Sequence, residues 1–392
     1  MRTFKGYERA GGMAGIRNYV LVMSLVSCSN AMAEKIAAKT GAIAITHDRG
    51  CEEFEQEHSR TMLGLVSAAR NPNVGAVLLV GLGCEQISLE EMRTALETSG
   101  KPVEGILIQQ EGGWARTEAK GIEIVERFKE LLSGQERVDC PLSHIVMGVQ
   151  CGGSDWTTAI AGNTAIGRVS DLVVQNGGTV LMAEVVGFPG SEAFLAERAV
   201  SGEVALKILD MVSDLQRDFR ERYGQSIDEV NPTPGNKAGG ITTLAEKSMG
   251  NVRKTGTSRI QGVLRIGDPV PGPGLWIVDQ RTPGTDPFNL TAMAMQMANV
   301  ALFSSGRGSP VGNAVMPVIK ITGNPETFRR LEDIFDFDAG GILDGETVER
   351  TGDLLFQALL ETTGGKPTRS EINGNFEYAI PREQGTNFTC RK

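Results

Sequence analysis

The chain has 392 residues, 40% hydrophobic and 22% charged, a globular composition with volume for two cores that excludes a mainly disordered protein. A net charge of −9 excludes nucleic acid or an anionic membrane surface as the main partner, because like charges repel. Six cysteines are too few for a disulfide scaffold, and no apolar run approaches the roughly 20 residues that cross a bilayer, so we expect a cytoplasmic protein without a membrane partner.

In chain order, Asn18 to Val26 (NYVLVMSLV) reads as a buried strand, and helix-forming residues follow from Asn30 to Lys39, ending at Gly41. Ala42 to Thr46 is a second short apolar run, followed by His47, a turn through Gly50 and Cys51, and a helix from about Glu53 to Arg70. Asn71-Pro72-Asn73 stops that helix, and Ala76 to Val80 is a fully apolar strand ending in GLGCE. A helix near Leu89 to Thr98 and a strand near Gly105 to Ile108 continue the alternation. Strands alternating with helices of this length predict a parallel sheet with right-handed crossovers.

The polar stretch Ser133 to Pro141 reads as a linker, after which the rhythm restarts. His144 to Val149 is a strand ending in QCGGSD, Ala159 to Gln175 a helix, Thr179 to Val185 a strand, and Ser191 to Tyr223 a long charged helical region. NPTPGNKAGG reads as an ordered loop leading into a helix at ITTLAEKSMG. Strands are expected at Leu275 to Val278, Val300 to Ser304 and Val315 to Ile321, with a helix across Asn289 to Met297; the last 60 or so residues carry little pattern. The expected fold is α/β: two Rossmann-like domains with mainly parallel sheets flanked by helices, residues 1–138 and a larger 139–392.

Cys28, Cys51, Cys84 and Cys151 each stand where a strand-like run gives way to a polar or glycine-rich segment. In parallel sheets that places thiols along a carboxyl edge, where α/β proteins keep their ligand sites. Cys28 would lie at a helix N-terminus, which lowers a thiol pKa, and His47 and Cys51 form an H-x3-C pair able to reach one ion. Taken singly, each cysteine reads as a small buried hydrophobe and His47 as a strand-end histidine. Together the four point to a shared metal or cluster site with His47 in reserve, assembled by folding because no C-x-x-C pair is present. Cys140 and Cys390 read as bystanders. Arg17 and Asn18 in GIRN, Lys237 in PGNK, Lys247 in EKS, Arg307 in SSGRGS and Lys320 in PVIKI are candidates to clamp a carboxylate, with solvated surface as the plainer reading. Neither G-x4-GK[ST] nor G-x-G-x-x-G at the first β-α turn is present, which weakens a nucleotide-dependent reading.

GIRNYV, SCSN, His47 to Cys51, NPNVGAVLLVGLGCE, QCGGSD, NPTPGNKAGGITTLAEKSMG, TPGTDP, SSGRGSPVG and PVIKI occur in the order found in the altronate and galactarate dehydratase family, which the chain resembles from Gly11 to Asn324. The resemblance implies an iron-dependent hydro-lyase that dehydrates a sugar acid to a 2-keto-3-deoxy acid by β-elimination. A related large subunit is that of sulfolactate sulfo-lyase, where sulfite leaves instead and pyruvate results, so the substrate class is a small polyhydroxy or sulfonated carboxylic acid. It also implies a large-subunit form working with a separate small β-rich subunit, and we expect a homo-oligomer. Two segments depart from the family pattern, Glu184-Val185-Val186-Gly187 and the Met-rich TAMAMQMANVA, and both bear on the substrate.

On that resemblance Cys28, His47, Cys51, Cys84 and Cys151 are the candidate iron contacts, for a single Fe2+ or an iron-sulfur cluster. Lys237 or His47 is the candidate base, since a buried lysine falls toward neutrality and histidine starts there. Asp155 and Glu85 would orient a ligand, and Arg17, Lys247 and Arg307 would hold the substrate carboxylate or departing anion. The competing readings are a binding protein with a structural metal and a nucleotide-dependent α/β enzyme.

Overall fold

The computed structural model describes residues 2–282 and 286–382. Cys390 and the middle of the TPGTDP motif lie outside the described residues. The strands are β1 (Thr3–Arg9), β2 (Met13–Gly15), β3 (Tyr19–Ser24), β4 (Ile43–Ile45), β5 (Val74–Gly81), β6 (Val103–Leu107), β7 (Val138–Pro141), β8 (Val146–Cys151), β9 (Thr179–Glu184), β10 (Ile260–Leu264), β11 (Gly274–Gln280), β12 (Val300–Ser304), β13 (Val318–Thr322) and β14 (Phe337–Asp338). They form a three-stranded antiparallel sheet in the order β2-β1-β7, a four-stranded sheet in the order β4-β3-β5-β6 and a seven-stranded sheet in the order β10-β11-β9-β8-β12-β13-β14, with every neighbouring pair in the two larger sheets parallel. The expected α/β architecture of parallel sheets flanked by helices is the one observed.

Strand β5, VGAVLLVG, is buried along its whole length, as a parallel strand covered on both faces must be. Side chains alternate between the faces of β3: Val20 and Val22 pack under helices Asn30–Thr40 and Trp114–Ser133, while Leu21 and Met23 face helix Glu55–Arg70. That second face is shared with the large sheet. Helix Asp286–Met295 lies between the sheets, its Leu290, Ala292, Met293 and Ala294 in one apolar cluster with Leu65, Ala68, Leu181 and Phe303. Asparagines of the Asn71-Pro72-Asn73 turn lock the junction: Asn71 donates to the Ala298 carbonyl at 2.9 Å, and Asn73 donates to the Asn299 and Val315 carbonyls at 2.8 Å.

Several local expectations are corrected. The stretch read as a linker contains β7, which pairs antiparallel with β1 because Phe4 and Cys140 are buried in the large-sheet core. The twenty-residue helix Trp114–Ser133 was not anticipated, although Ile124, Val125, Phe128 and Leu132 recur at helical spacing. The region 191–223 is two helices, Glu192–Glu197 and Gly202–Tyr223, the second begun by Ser201, whose side chain accepts from the Val204 N–H. Within NPTPGNKAGG, Pro234–Ala238 forms a helical turn closed by a reciprocal Thr233–Asn236 cap. The weakly patterned end contains helix Val348–Thr363 and then returns to the small sheet: Ile380 is buried against Gly64, and the Tyr378 hydroxyl donates to the Gly64 carbonyl at 2.8 Å. Among the described residues no helix is long and apolar enough to cross a membrane.

Candidate active site

Adjacent strands β4, β3 and β5 end on the same edge, and a cysteine follows each: Cys51, Cys28 and Cys84, all exposed. The Cys51 thiol is pushed up by desolvation, then by the charge and hydrogen bond of Cys84 and the charges of Cys28 and Glu85, so the three sulfurs are neighbours. Glu85 turns its carboxylate back onto the Gly83 and Cys84 N–H groups at 2.6 and 2.9 Å, and its Oε1 fills the space a side chain at Gly81 would need. Nδ1 of His47 accepts from the Arg49 N–H at 3.2 Å, and burial together with Arg382 lowers the imidazole pKa. Its buried Nε2 makes no hydrogen bond, although the Ser24 backbone lies near enough to favour the charged form. Among the described residues no three His, Cys, Asp or Glu side chains are already gathered around one ion position. Soft donors with so few other partners fit an iron or iron-sulfur group, whose binding would draw the turns together.

Cys151 keeps different company. The last residue of β8, it is buried, with Sγ 3.4 Å from Lys254 Nζ, 3.2 Å from Asn251 Oδ1 and 3.8 Å from Glu184 Oε2. Burial pushes its thiol up, and Lys254, Ser154 and Lys247 oppose that. Cys151 thus stands on the large sheet, while the other three cysteines follow strands of the small one.

The carboxyl edge of the large sheet gathers charges that sequence reasoning left out. Lys254 is fully buried, its Nζ contacting Asn251 Oδ1 and lying 3.4 Å from Glu184 Oε2 at the end of β9. Asp286 opens the helix after β11, accepts from Gln150 Nε2 at 3.1 Å, and presses on Gly152 where any side chain would collide. Its carboxyl is raised to about 6 by burial and by Glu184, with Gln150, Lys320 and Lys247 opposing. Lys320 stands inside the sheet rather than at a strand end: fully buried, its Nζ is 3.4 Å from the Phe303 ring centre and has no acceptor. Burial lowers that amine to about 7 against the pull of Asp286, Glu377 and Asp336. A surface clamp is corrected to an interior charge.

Lys247 donates to Asn231 Oδ1 at 2.7 Å and Asn236 Oδ1 at 3.1 Å, and with Cys151, Asp155, Trp156 and Asn251 it lines a cavity of about 420 Å3. Asp155 is a fastener of loops: Oδ1 accepts from Thr157 Oγ1 at 2.6 Å and from the Thr158 N–H and Oγ1 at 3.0 Å, and Oδ2 from Asn324 at 3.4 Å. Around it three motifs knit together, since Asn236 donates to the Ser154 carbonyl, Trp156 N–H to Gly239, and Arg307 N–H to Gly153. With both oxygens occupied, Asp155, expected to orient a ligand, instead orients the surrounding loops. Lys237 is exposed on the turn Pro234–Ala238.

Arg17 and Asn18 are corrected from substrate contacts to braces. Arg17 pairs with both oxygens of Glu371 at 2.7 and 2.9 Å and donates to the Thr362 carbonyl at 2.9 Å; burial lowers its pKa, and Glu371 more than reverses that. Asn18 accepts from Arg9 at 2.7 Å and donates to Gln135 at 3.0 Å.

The large-sheet edge thus holds two carboxylates, two lysines and a thiol, with the Lys320 amine inside the sheet, an arrangement suited to moving a proton from carbon and bracing the charge that results. Residues 6–133 match the family model described as D-galactarate dehydratase/altronate hydrolase, second domain, and residues 142–386 match D-galactarate/altronate dehydratase, C-terminal. The chain is 35% identical to altronate dehydratase of Bacillus subtilis (strain 168), over 97% of this chain and 77% of that one. It is 33% identical to the (2R)-sulfolactate sulfo-lyase subunit beta of Chromohalobacter salexigens, over 97% of both chains. Galactarate dehydratase (L-threo-forming) of Escherichia coli (strain K12) is 31% identical over 93% of this chain and 73% of its own length.

Proposed function

The chain belongs to the D-galactarate/altronate dehydratase family and is a carbon–oxygen lyase, and we propose that it dehydrates a small sugar acid to a 2-keto-3-deoxy acid. The observation that carries this reading is the buried set of Lys254, Glu184 and Asp286 at the carboxyl edge of the large sheet. Asp286, at about 6, is ionised at neutral pH yet basic enough to take the proton from the carbon beside the substrate carboxylate. The electron pair left on that carbon forms the double bond as the neighbouring hydroxyl departs and becomes water with one proton; the resulting enol tautomerises to the keto acid. Lys254, held between Glu184 and Cys151, braces the charge that grows on the substrate carboxylate, and Lys247 at the cavity wall anchors it.

Cys28, Cys51 and Cys84, with His47 beside them, would hold an iron centre, Fe2+ or an iron-sulfur cluster, which when bound supplies a Lewis acid for the departing hydroxyl. A separate small subunit is proposed as a partner, in keeping with a relative called a subunit beta. The same near-complete coverage favours a second reading, in which sulfite leaves from a sulfonated acid.

The test is anaerobic purification with iron and sulfide analysis, followed by screening of aldonates, aldarates and sulfolactate for 2-keto acid and sulfite. Keto acid without sulfite from a sugar acid supports dehydration. Sulfite release from sulfolactate alone replaces it with the second reading, and an oxygen-stable protein that turns over none of these acids sinks both.

A further inference from the structure

On the far side of Asp155 and Trp156 from the Lys247 cavity lies a second one of about 470 Å3, walled by Gly239, Gly240, Gly306, Asn324, Arg307 and Arg330. Neither guanidinium has a hydrogen-bond or ion-pair partner among the described residues. Other arginines are committed: Arg17 to Glu371, Arg281 to Asp279, Arg382 to Glu57.

Both free guanidinium groups stand on backbone that Asp155 holds. Gly306 packs so closely on the Asp155 carboxylate that no side chain fits there, and the Arg307 N–H bonds the Gly153 carbonyl at 3.0 Å, fixing the base of Arg307. Asn324 donates to Asp155 Oδ2 at 3.4 Å while its Oδ1 accepts from the Glu326 and Thr327 N–H groups at 3.1 Å, fixing the helix Pro325–Arg330 that ends in Arg330. One carboxylate thus sets the positions of two forked donors on a single cavity, and its own oxygens are already satisfied. Glu326 also lines the cavity, but it is exposed at the rim. A planar or tetrahedral oxyanion group matches two such forks.

We infer that Arg307 and Arg330 form a second anion subsite, which takes the far terminal carboxylate of the substrate while Lys247 holds the carboxylate at the reacting end. The inference rests on the dehydratase reading and deepens it: the substrate is a dianionic aldarate rather than a monoanionic aldonate. Asp155 and Trp156 line both cavities, and an aldarate chain of a few carbons would run from one to the other past them.

Steady-state kinetics with galactarate and altronate test it in the intact protein and in the variants Arg307→Ala, Arg330→Ala and Arg330→Lys. Both arginines are exposed, so the fold is not at stake. The dianion should be the better substrate, and each alanine variant should raise its KM about tenfold or more with kcat little changed, Arg330→Lys recovering part of the loss and the KM for altronate staying put. Preference for altronate, or equal KM changes for monoanion and dianion, overturns the subsite. Should no acid be turned over, the dehydratase reading fails, and calorimetry decides the subsite separately: tartrate binding more tightly than glycerate in wild type, but not in Arg330→Ala, supports it, and equal binding overturns it.

Discussion

At the carboxyl edge of β3, β4 and β5 three thiols stand exposed on turns, while at the edge of β8, β9 and β11 Lys254 is fully buried and Asp286 shares the interior with Glu184 and Lys320. The two edges come from the same parallel architecture and face a common core around helix Asp286–Met295, so the difference lies in burial rather than topology. Exposed donors cost the fold little and respond to what binds them. Buried charges strain the fold and hold altered protonation states whether or not substrate is present. One edge is therefore read by metal analysis and the other by pH and rate.

The largest effect should come from the buried edge. Lys254→Met or Glu184→Gln should lower kcat/KM by about 10²–10⁴-fold, measured by keto acid formation, and a rate within tenfold of wild type would remove that edge from the chemistry. In wild type the acid limb of kcat/KM should fall near pH 6, because Asp286 titrates there and only its ionised form takes a proton.

Metal content separates the two edges next. Changing Cys28, Cys51 or Cys84 to serine should strip most of the iron from anaerobically prepared protein, whereas Cys151→Ser should keep it. Loss of iron from all four variants alike would restore a single four-cysteine site.

The junction between the regions gives a smaller, structural effect. Arg17→Ala leaves Glu371 half-sheltered without its bidentate partner, and urea unfolding should show a loss of about 3–5 kcal/mol. A loss below 1 kcal/mol would mean that this pair does not hold the C-terminal segment on the small-sheet region.

Lys320→Met should act in the opposite direction and least. The amine titrates at about 7 when folded but near 10.4 when unfolded, so between those values the unfolded chain binds the extra proton and stability rises with pH. Its cost is complete below pH 7 and absent above about 10.4. The methionine variant should therefore melt a few degrees higher at pH 6, with the gain shrinking by pH 9. A variant that melts lower at pH 6 would show that the ammonium has a favourable partner.

Much of the architecture was legible because local signals agreed with it. Continuous apolar runs such as VLLV in β5, each followed by helix-forming residues, left little but a parallel sheet, and the cysteine placements followed from strand ends. The role of each charged residue was not legible, because burial is set by distant contacts. Lys254 sits in RKTG, which reads as a surface turn until Glu184 and Cys151, 70 and 103 residues earlier, close over it. Arg17 looked available in GIRN because its partner Glu371 lies 354 residues away. Asp155 in QCGGSD looked like a ligand-orienting group, but the hydroxyls of Thr157 and Thr158 just beyond it were the sign of a capped turn.

The central claim is that metal chemistry belongs to the thiol edge and proton chemistry to the buried edge, and iron content measured together with keto acid formation on anaerobic Lys254→Met protein tests it most directly. The account predicts wild-type iron with turnover reduced at least a hundredfold; iron lost along with activity, or iron kept with near-normal turnover, would contradict it.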